Sequence, residues 1–235
     1  MIEQAIQDRV SALEERIVAA CRRAGRPRDQ VRLLPVSKTK PGSALAEAME
    51  CGFRRFGENR VQEIVAKQAY LPEAEFALIG HLQTNKAAKA AELAVEFQAL
   101  DSLRVAAALD RKLQTLGRSL DVLVEVNTSG EDSKFGLAPE QVMEFCGQLK
   151  DFDSLNPIGL MTIAMPSTDE EVVGACFDQL AELRNRLRAE AVASSSWDEL
   201  SMGMSNDFEL AIAHGSTCIR VGTAIFGSRP APMAV

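Results

Sequence analysis

Lys38 is the residue whose type and position most directly suggest chemistry. It closes the apolar run that begins at Val31, and the turn-forming residues Thr39–Gly42 follow it at once. α/β barrels carry their reacting groups at the carboxyl ends of their strands. Because surrounding hydrocarbon favours the neutral form of an amine, a lysine at such a position is a candidate Schiff-base nucleophile. The alternative is an ordinary strand-end lysine whose ammonium group extends into water.

A second group of residues, near the end of the chain, suggests an anion site. Ser205 follows an apolar run, and Asn206 with Glu209 forms an N-x-x-E pattern that predicts the start of a helix, where free N–H groups receive anions. Gly222 and Thr223 lie in the last apolar run, where a small residue lets the backbone approach a phosphate. Loops after the seventh and eighth strands are the usual phosphate site of barrels. Each residue alone is equally a helix cap or a packing glycine, so the prediction depends on their occurring together opposite a lysine.

Arg220 lies inside the last apolar run, on the same face as Cys218 and Gly222. A guanidinium group keeps its proton, so a buried arginine needs a hydrogen-bond acceptor. One possible acceptor is a carboxylate from another strand, such as Glu125 or Glu58. The other is an atom of a bound ligand. An arginine that faces a pyridine nitrogen would keep that nitrogen unprotonated and weaken the ring as an electron sink.

Three further residues carry weaker signals. Asn59 ends the second predicted strand, where it either contacts a ligand or caps the next helix. His81 is more readily explained as a hydrogen-bonded histidine at a strand end. Lys134 competes with Lys38 as an amine, but a hydrated loop lysine stays protonated, so Lys38 is preferred.

The elements that position these residues alternate along the chain. Apolar residues recur every three or four positions from Ile2 to Ala24, which predicts a leading helix. Short apolar runs predict eight strands, at Val31–Lys38, Arg54–Gly57, Phe76–Leu82, Glu96–Leu100, Val122–Asn127, Ile158–Ile163, Leu200–Met204 and Cys218–Phe226. Helical patterns lie between them, among others at Ser43–Cys51, Leu103–Leu116, Pro139–Leu149 and Glu170–Ala193.

Strands that are apolar on both faces and joined by helices indicate a parallel sheet covered on both sides. Eight such units predict an α/β fold, a single TIM-type (β/α)8 barrel with an extra N-terminal helix. The alternative is an open doubly wound sheet, which is weakened because no GxGxxG follows the first strand.

Composition limits the class of protein. The 235 residues suit one domain over residues 1–235, with a short tail at 229–235. A formal net charge of −7 argues against nucleic acid or an anionic membrane as a main partner. Five cysteines without a CxxC pair indicate reduced thiols, and two isolated histidines are too few for most metal sites. With no signal peptide and no apolar run near the ~20 residues of a membrane span, we expect a soluble cytoplasmic protein.

Seven strings of the sequence resemble one known family, the YggS/PROSC group of pyridoxal phosphate-binding homeostasis proteins, which are relatives of the barrel domain of alanine racemase. They follow one another from the first predicted strand to the eighth: Val36–Pro41, Phe56–Asn59, Ile79–Lys86, Glu131–Gly136, Gly159–Met161, Leu200–Ser205 and Arg220–Gly227. The resemblance therefore covers nearly the whole chain.

This resemblance implies that pyridoxal phosphate forms an aldimine with Lys38 and that Arg220 faces its pyridine nitrogen. It implies two further sets of contacts, Ser205, Gly222 and Thr223 at the phosphate, and Asn59, Met161 and Ser201 near the ring. Members of the family are described as monomeric barrels that affect vitamin B6 balance without an established catalytic activity. The implied ligand is pyridoxal phosphate, and apo forms of enzymes that use it, or amino acids, are further candidate partners.

Two enzymatic functions are alternatives to a cofactor carrier. An amino-acid racemase of the alanine racemase type adds a C-terminal β domain that supplies a tyrosine base. Here few residues follow the eighth predicted strand, and the only tyrosine, Tyr70, falls in an early connection. Two-base racemisation therefore lacks a visible acid/base pair. A Schiff-base aldolase that uses Lys38 without a cofactor would leave the phosphate-binding residues and Arg220 unexplained.

Overall fold

A long helix, α1 (Ile6–Arg23), opens the computed structural model, which describes residues 5–131 and 134–227. The strands in that part of the chain are β1 Arg32–Pro35, β2 Arg55–Glu58, β3 Glu75–Leu78, β4 Ala94–Leu100, β5 Leu120–Glu125, β6 Leu155–Met161, β7 Glu199–Ser201 and β8 Cys218–Val221. The helices after α1 are α2 Gly42–Glu50, α3 Val61–Tyr70, α4 Ala87–Leu93, α5 Leu103–Leu116, α6 Val142–Gln148, α7 Glu170–Ala189, α8 Phe208–Ala213 and α9 Thr223–Phe226. The predicted tail at 229–235 lies outside the described residues, as does the start of the predicted leading helix.

The strands form one parallel sheet in the order β1-β8-β7-β6-β5-β4-β3-β2. A parallel bridge between Val36 and Gly57 brings the two ends of this order together, and the Ser37 N–H donates to the Gly57 carbonyl at 3.0 Å. The sheet is therefore a nearly closed barrel surrounded by helices. The predicted (β/α)8 fold with an extra N-terminal helix is confirmed.

Two layers of apolar contacts hold the barrel. Inside it, Leu34, Ala77 and Cys218 from three different strands pack against one another. Outside it, the helices present apolar stripes to the strands, as α5 does with Val105, Leu109 and Leu113, which recur every four residues and are buried. None of the helices within the described ranges is long and apolar enough to cross a membrane.

Salt bridges close the amino-terminal end of the barrel. Glu96, at the start of β4, lies 3.0 Å from an Arg32 nitrogen and 2.8 Å from an Arg55 nitrogen. Arg32 also pairs with Glu199 at 3.4 Å. Burial opposes ionisation of Glu96, but the two arginines and a hydrogen bond from Gln98 hold its pKa below the ordinary value. The loops that carry the predicted site lie at the opposite, carboxyl end of the barrel.

The structure corrects the predicted end of the last strand. Cys218–Phe226 is not one strand, because β8 ends at Val221 and α9 begins at Thr223. Gly222 makes this change of direction, since its carbonyl accepts the N–H groups of both Ile225 and Phe226. A short, mostly apolar run does not by its pattern distinguish a strand from a short buried helix.

The N-x-x-E prediction at Asn206 is also wrong in detail. Helix α8 begins at Phe208, and Asp207 instead organises the preceding turn, where its Oδ1 accepts the Met204 N–H at 2.5 Å. Glu209 pairs with Arg16 of α1 at 3.2 Å rather than with the helix start. A tertiary ion pair has thus replaced the local cap.

We expect Gly159→Ala to destabilise the barrel by about 3 kcal/mol. Gly159 is paired with Glu199 of the next strand, and a Cβ at this position would lie 2.0 Å from the Glu199 carbonyl oxygen. The matched control is Gly147→Ala in α6, where no atom lies within 4 Å of the added carbon. That change should leave stability equal or raise it by up to about 1 kcal/mol. Urea unfolding measures both, and equal effects of the two changes would contradict the packing argument.

Candidate functional site

Lys38 sits on a tight turn directly above the end of β1. The Val36 N–H still bonds to β8, at 2.9 Å from the Val221 carbonyl oxygen, and the Lys40 N–H then closes the turn on the Ser37 carbonyl at 3.0 Å. Lys38 itself is half-buried. The predicted strand up to Lys38 therefore ends two or three residues earlier, and Lys38 lies in the turn at the carboxyl end of the barrel.

Gly222 and Thr223 follow β8 on the neighbouring side of this turn. A Cβ on Gly222 would lie 3.0 Å from the Val36 carbonyl oxygen, so the two backbones approach more closely here than most side chains allow. Within residues 5–131 and 134–227, no acceptor receives the main-chain N–H groups of Gly222, Thr223 or Ala224. Three adjacent donors without an acceptor are suited to an anion.

Ser205 lies in the loop between β7 and α8, where it is half-buried. Its main-chain N–H and that of Asn206 likewise have no acceptor in the described part of the chain. The carboxyl ends of β7 and β8 are neighbours in the sheet, so both loops border the same side of the mouth.

Arg220 points into the barrel and is 4% exposed. Its Nη1 donates to the Ser201 Oγ at 2.7 Å and its Nη2 to the Thr162 carbonyl at 2.8 Å. Both acceptors are neutral, and burial lowers the pKa of the guanidinium group from its ordinary value.

The carboxylate partners considered for Arg220 are not found. Glu58 pairs with Lys67 on the outer side of the barrel, at 2.5 Å. Glu125 is influenced by the charge of Arg220, but among the described residues no ion pair joins them. Because the described acceptors of Arg220 are neutral, its buried guanidinium group can still donate a charge-assisted hydrogen bond to an acceptor atom of a ligand.

A chain of hydrogen bonds supports Arg220 from below. Ser201 Oγ donates to Gln98 Oε1 at 2.7 Å, and Gln98 Nε2 donates to Glu96 Oε1 at 2.5 Å. Glu96 belongs to the ion network at the amino-terminal end, so polar contacts run through the whole barrel. Sequence reasoning did not single out Gln98, although a glutamine in the middle of a buried apolar strand was the available signal.

Glu125 is a second residue whose importance the sequence did not show. It ends β5 and is 6% exposed. Burial, followed by the negative charge of Asp101, raises the pKa of Glu125 to about 7, while the charge of Arg220 opposes the rise. The mouth of the barrel thus holds a carboxyl group that titrates near neutral pH.

Met161 and Ser201 are register partners at the ends of β6 and β7, and both are fully buried. Asn59 is exposed at the end of β2 and borders an open cavity of about 790 Å³. The same cavity is lined by His81 and Phe135, whose rings stack with centroids 4.1 Å apart. His81 Nδ1 also lies 3.5 Å from the Asp101 carboxylate. The interpretation of His81 as a hydrogen-bonded histidine at a strand end stays a prediction.

Lys134 is engaged in the loop after β5. It forms an ion pair with Glu131, and its Nζ donates to the Ala164 carbonyl at 3.3 Å. Part of the motif around it, residues 132–133, lies outside the described residues. These contacts agree with the preference for Lys38.

The structure thus brings the predicted residues to one end of the barrel. Lys38, Gly222 and Thr223 share the edge between β1 and β8, and Ser201 contacts Arg220 directly. Met161 lies beside Ser201. Asn59 and Ser205 lie instead in the loops that follow β2 and β7 at this end of the barrel. The individual roles of these residues stay predictions.

Fold and site together define a parallel (β/α)8 barrel whose carboxyl end holds an amine, a buried arginine and several main-chain N–H groups that lack an acceptor within the described residues. The family model for the N-terminal domain of alanine racemase matches residues 9–230. Curated relatives named pyridoxal phosphate homeostasis protein are 39% identical in Aquifex aeolicus, over 94% of this chain and 97% of the relative, and 40% identical in Vibrio cholerae, over 96% and 97%. The chain belongs to the family of pyridoxal phosphate homeostasis proteins.

A solved structure of one similar protein includes the ligand that gives the family its name. It is PipY of Synechococcus elongatus with pyridoxal phosphate bound, which is 37% identical and has a TM-score of 0.82. The match covers 94% of this chain and 100% of that chain. The same protein without the ligand is similar with a TM-score of 0.84.

We expect the stability of the cofactor-free protein to depend on the ionisation of Glu125. The folded-state pKa of about 7 is above the ordinary 4.5, so ionisation destabilises the fold progressively as the pH rises through this window. In Glu125→Gln this loss is absent. Relative to the wild type, the free energy of unfolding of Glu125→Gln should therefore rise by on the order of 2–3 kcal/mol when the pH is raised from 5 to 8.

Urea unfolding at the two pH values measures this difference. Glu140→Gln, which removes an exposed carboxylate elsewhere on the chain, controls for the change in net charge. A Glu125→Gln difference that is the same at both pH values would show that the carboxyl group does not titrate in this window.

Proposed function

We propose that this protein binds pyridoxal phosphate covalently through Lys38 and acts in intracellular pyridoxal phosphate homeostasis, as a reversible holder of the cofactor. The observation that carries the proposal is that Lys38 follows β1, while the main-chain N–H groups of Gly222, Thr223 and Ala224, which have no acceptor among the described residues, follow the neighbouring strand β8. Membership of the homeostasis family and the ligand present in the PipY structure support it.

The residues present fit this cofactor. Its phosphate matches the main-chain donors of Gly222, Thr223 and Ala224, for which the described part of the chain offers no acceptor, with Ser205 on the adjoining loop. The small size of Gly222 favours this arrangement, because a Cβ would crowd the Val36 carbonyl oxygen at 3.0 Å. When bound, pyridoxal phosphate supplies an aldehyde that an amine can bond, and Lys38 is the amine at the mouth.

Arg220 would face the pyridine nitrogen of the cofactor. A guanidinium group keeps its proton even when it is buried, and the described acceptors of Arg220 are a neutral hydroxyl and a neutral carbonyl. Its positive charge therefore disfavours a proton on the ring nitrogen. An unprotonated ring withdraws electrons less strongly. Ser201 holds the guanidinium in place, and Met161 and Asn59 would border the ring. This arrangement favours storage over turnover.

The same proposal extends to partners and location. We infer a cytoplasmic monomer made of one domain, which exchanges pyridoxal phosphate with apo forms of enzymes that use it. The cysteines Cys21, Cys51, Cys146, Cys176 and Cys218 are free thiols, which fits a reducing compartment.

Tyr70, the only tyrosine of the chain, ends α3 and packs against Gly42, so it belongs to a helix rather than to a connection.

We expect Lys38→Ala to abolish the visible absorbance of the protein incubated with pyridoxal phosphate, because the amine that bonds the aldehyde is gone. Borohydride reduction followed by peptide mapping should place the label on Lys38 in the wild type. Lys134→Ala, which removes the competing amine, should keep both the colour and the label.

Colour that survives in Lys38→Ala, or a label on Lys134, would overturn the assignment of Lys38. A second assay separates a holder from an enzyme. Long incubation with a panel of amino acids, followed by chiral analysis, should show no racemisation in proportion to protein. Racemisation that disappears in Lys38→Ala would instead favour the amino-acid racemase alternative.

We expect Arg220→Gln to retain the cofactor more weakly, by about 10- to 100-fold, because a charged donor is replaced by a neutral one. Equilibrium dialysis against free pyridoxal phosphate measures the change. Thermal unfolding of the cofactor-free variant must be recorded beside it, since Arg220 also bonds Ser201 and Thr162. Equal retention by variant and wild type would show that Arg220 does not face the ligand.

A further inference from the structure

A buried polar cluster lies beneath the Lys38 turn, outside the barrel and apart from the residues assigned above. It consists of Glu58 at the end of β2 and of Glu63 and Lys67 on α3. The Lys67 Nζ donates to Glu58 Oε1 at 2.5 Å, to Glu63 Oε2 at 3.2 Å and to the Ser37 carbonyl at 2.8 Å. All three protons of the ammonium group are therefore used.

The cluster bonds both residues that flank Lys38. On one side, the Ser37 carbonyl accepts from Lys67 and the Ser37 Oγ donates to Glu58 Oε1 at 2.5 Å. On the other side, the Thr39 N–H donates to Glu63 Oε2 at 2.7 Å. Lys38 is the residue between these fixed points.

The turn needs such support because its backbone is strained. Thr39 has a φ of 65°, in the left-handed region. For an L-residue this conformation costs about 1–2 kcal/mol, and it persists only where the surroundings enforce it. The bond from Thr39 to Glu63 acts at the strained residue itself.

The far end of the turn is anchored to the phosphate side of the site. The Lys40 Nζ donates to the Phe226 carbonyl at 2.9 Å and to the Gly227 carbonyl at 3.1 Å. These carbonyls end α9, the helix whose first residues carry the unpaired N–H groups. Lys40 thus fixes the position of the turn that carries Lys38 relative to the N–H groups at the start of α9.

A role in stability alone explains this cluster poorly. Lys67 and Glu58 are 6% and 0% exposed, and buried charges of this kind are often replaced by apolar residues without loss of stability. Glu58 Oε2 is buried without a hydrogen-bond partner in the described part of the chain. Burial raises the pKa of Glu58 above its ordinary value, although the hydrogen bonds from Lys67 and Ser37 oppose this rise. An arrangement with such costs is better explained by what it positions.

We propose that Lys67, with Glu58 and Glu63, positions the Lys38 turn and thereby sets the rate at which Lys38 gains and releases the aldehyde of the cofactor. This inference rests on the proposed covalent function of Lys38. The three residues are positioning residues, because they act through Ser37 and Thr39 and not on the ligand.

The test uses Lys67→Met, which removes the ammonium group and keeps the length of the side chain, and Glu63→Gln, which keeps an acceptor for Thr39 but loses the charge. Stopped-flow absorbance follows the appearance of the covalent band when each cofactor-free protein meets pyridoxal phosphate. We expect formation in Lys67→Met to be about tenfold slower, a change that corresponds to about 1.4 kcal/mol. Glu63→Gln should show a smaller slowing, and Lys67→Arg should restore part of the rate.

A second ligand separates positioning from general damage. Pyridoxine phosphate has the ring and the phosphate but lacks the aldehyde, so it cannot bond to Lys38. The affinity for pyridoxine phosphate, measured by calorimetry, should be the same in the wild type, in Lys67→Met and in Glu63→Gln. Asp110→Asn is the matched control, since Asp110 is a buried carboxylate that holds the Ser154 N–H at 2.8 Å elsewhere in the fold. It should leave the covalent step unchanged.

The outcomes distinguish the two proposals. Absence of any borohydride label on Lys38 in the wild type would overturn the proposed function itself. A wild-type label on Lys38 together with unchanged rates in the variants would overturn the positioning role alone. A parallel loss of covalent rate and pyridoxine phosphate affinity, shared by Asp110→Asn, would also overturn it. If Lys67→Met does not fold, the rate in Glu63→Gln decides.

Discussion

The approach of β8 to β1 at Gly222 is the constraint on which the rest of the site depends. A Cβ added at Gly222 would lie 3.0 Å from the Val36 carbonyl oxygen, closer than most Cβ contacts, so a larger residue would require the two strand ends to shift apart. Because these strands are neighbours, the turn after β1 carries the amine, and the turn after β8 carries the main-chain donors that find no acceptor in residues 5–131 and 134–227. A larger residue at position 222 would separate the two halves of the site before it altered any contact with a ligand.

Two polar systems support this mouth from different sides. Inside the barrel, Ser201 and Gln98 connect Arg220 to the ion network around Glu96. Outside it, Lys67 joins α3 to the turn that bears Lys38. Buried polar groups restrict the arrangements in which a core satisfies its hydrogen bonds. The barrel is therefore rigid where the cofactor's ring nitrogen and its aldehyde are expected, although loops form the rest of the mouth.

Residue types and periodicity predicted the architecture because each strand and helix carries its own pattern. The helix α5 has the predicted bounds, and the eight strands occur in the predicted order. Errors appeared where local pattern and tertiary contact compete. The apolar residues Thr223–Phe226 continue the pattern of β8 but form a helix, and Glu209 pairs with Arg16 instead of capping α8. Lys67 lies on the buried stripe of α3 with Val61 and Ile64, a position that marks an unusual lysine.

The sequence by itself determined the fold class and the family and predicted the amine at Lys38, since these follow from patterns and motifs within short segments. Only the tertiary structure decided which groups meet. Ser201 and Gln98 are 103 positions apart, and Lys67 contacts Ser37 across 30. It also showed that the acceptors of Arg220 are a hydroxyl and a carbonyl instead of a carboxylate. Closure of the barrel creates these contacts, because the side chains that line a closed parallel sheet come from strands far apart along the chain.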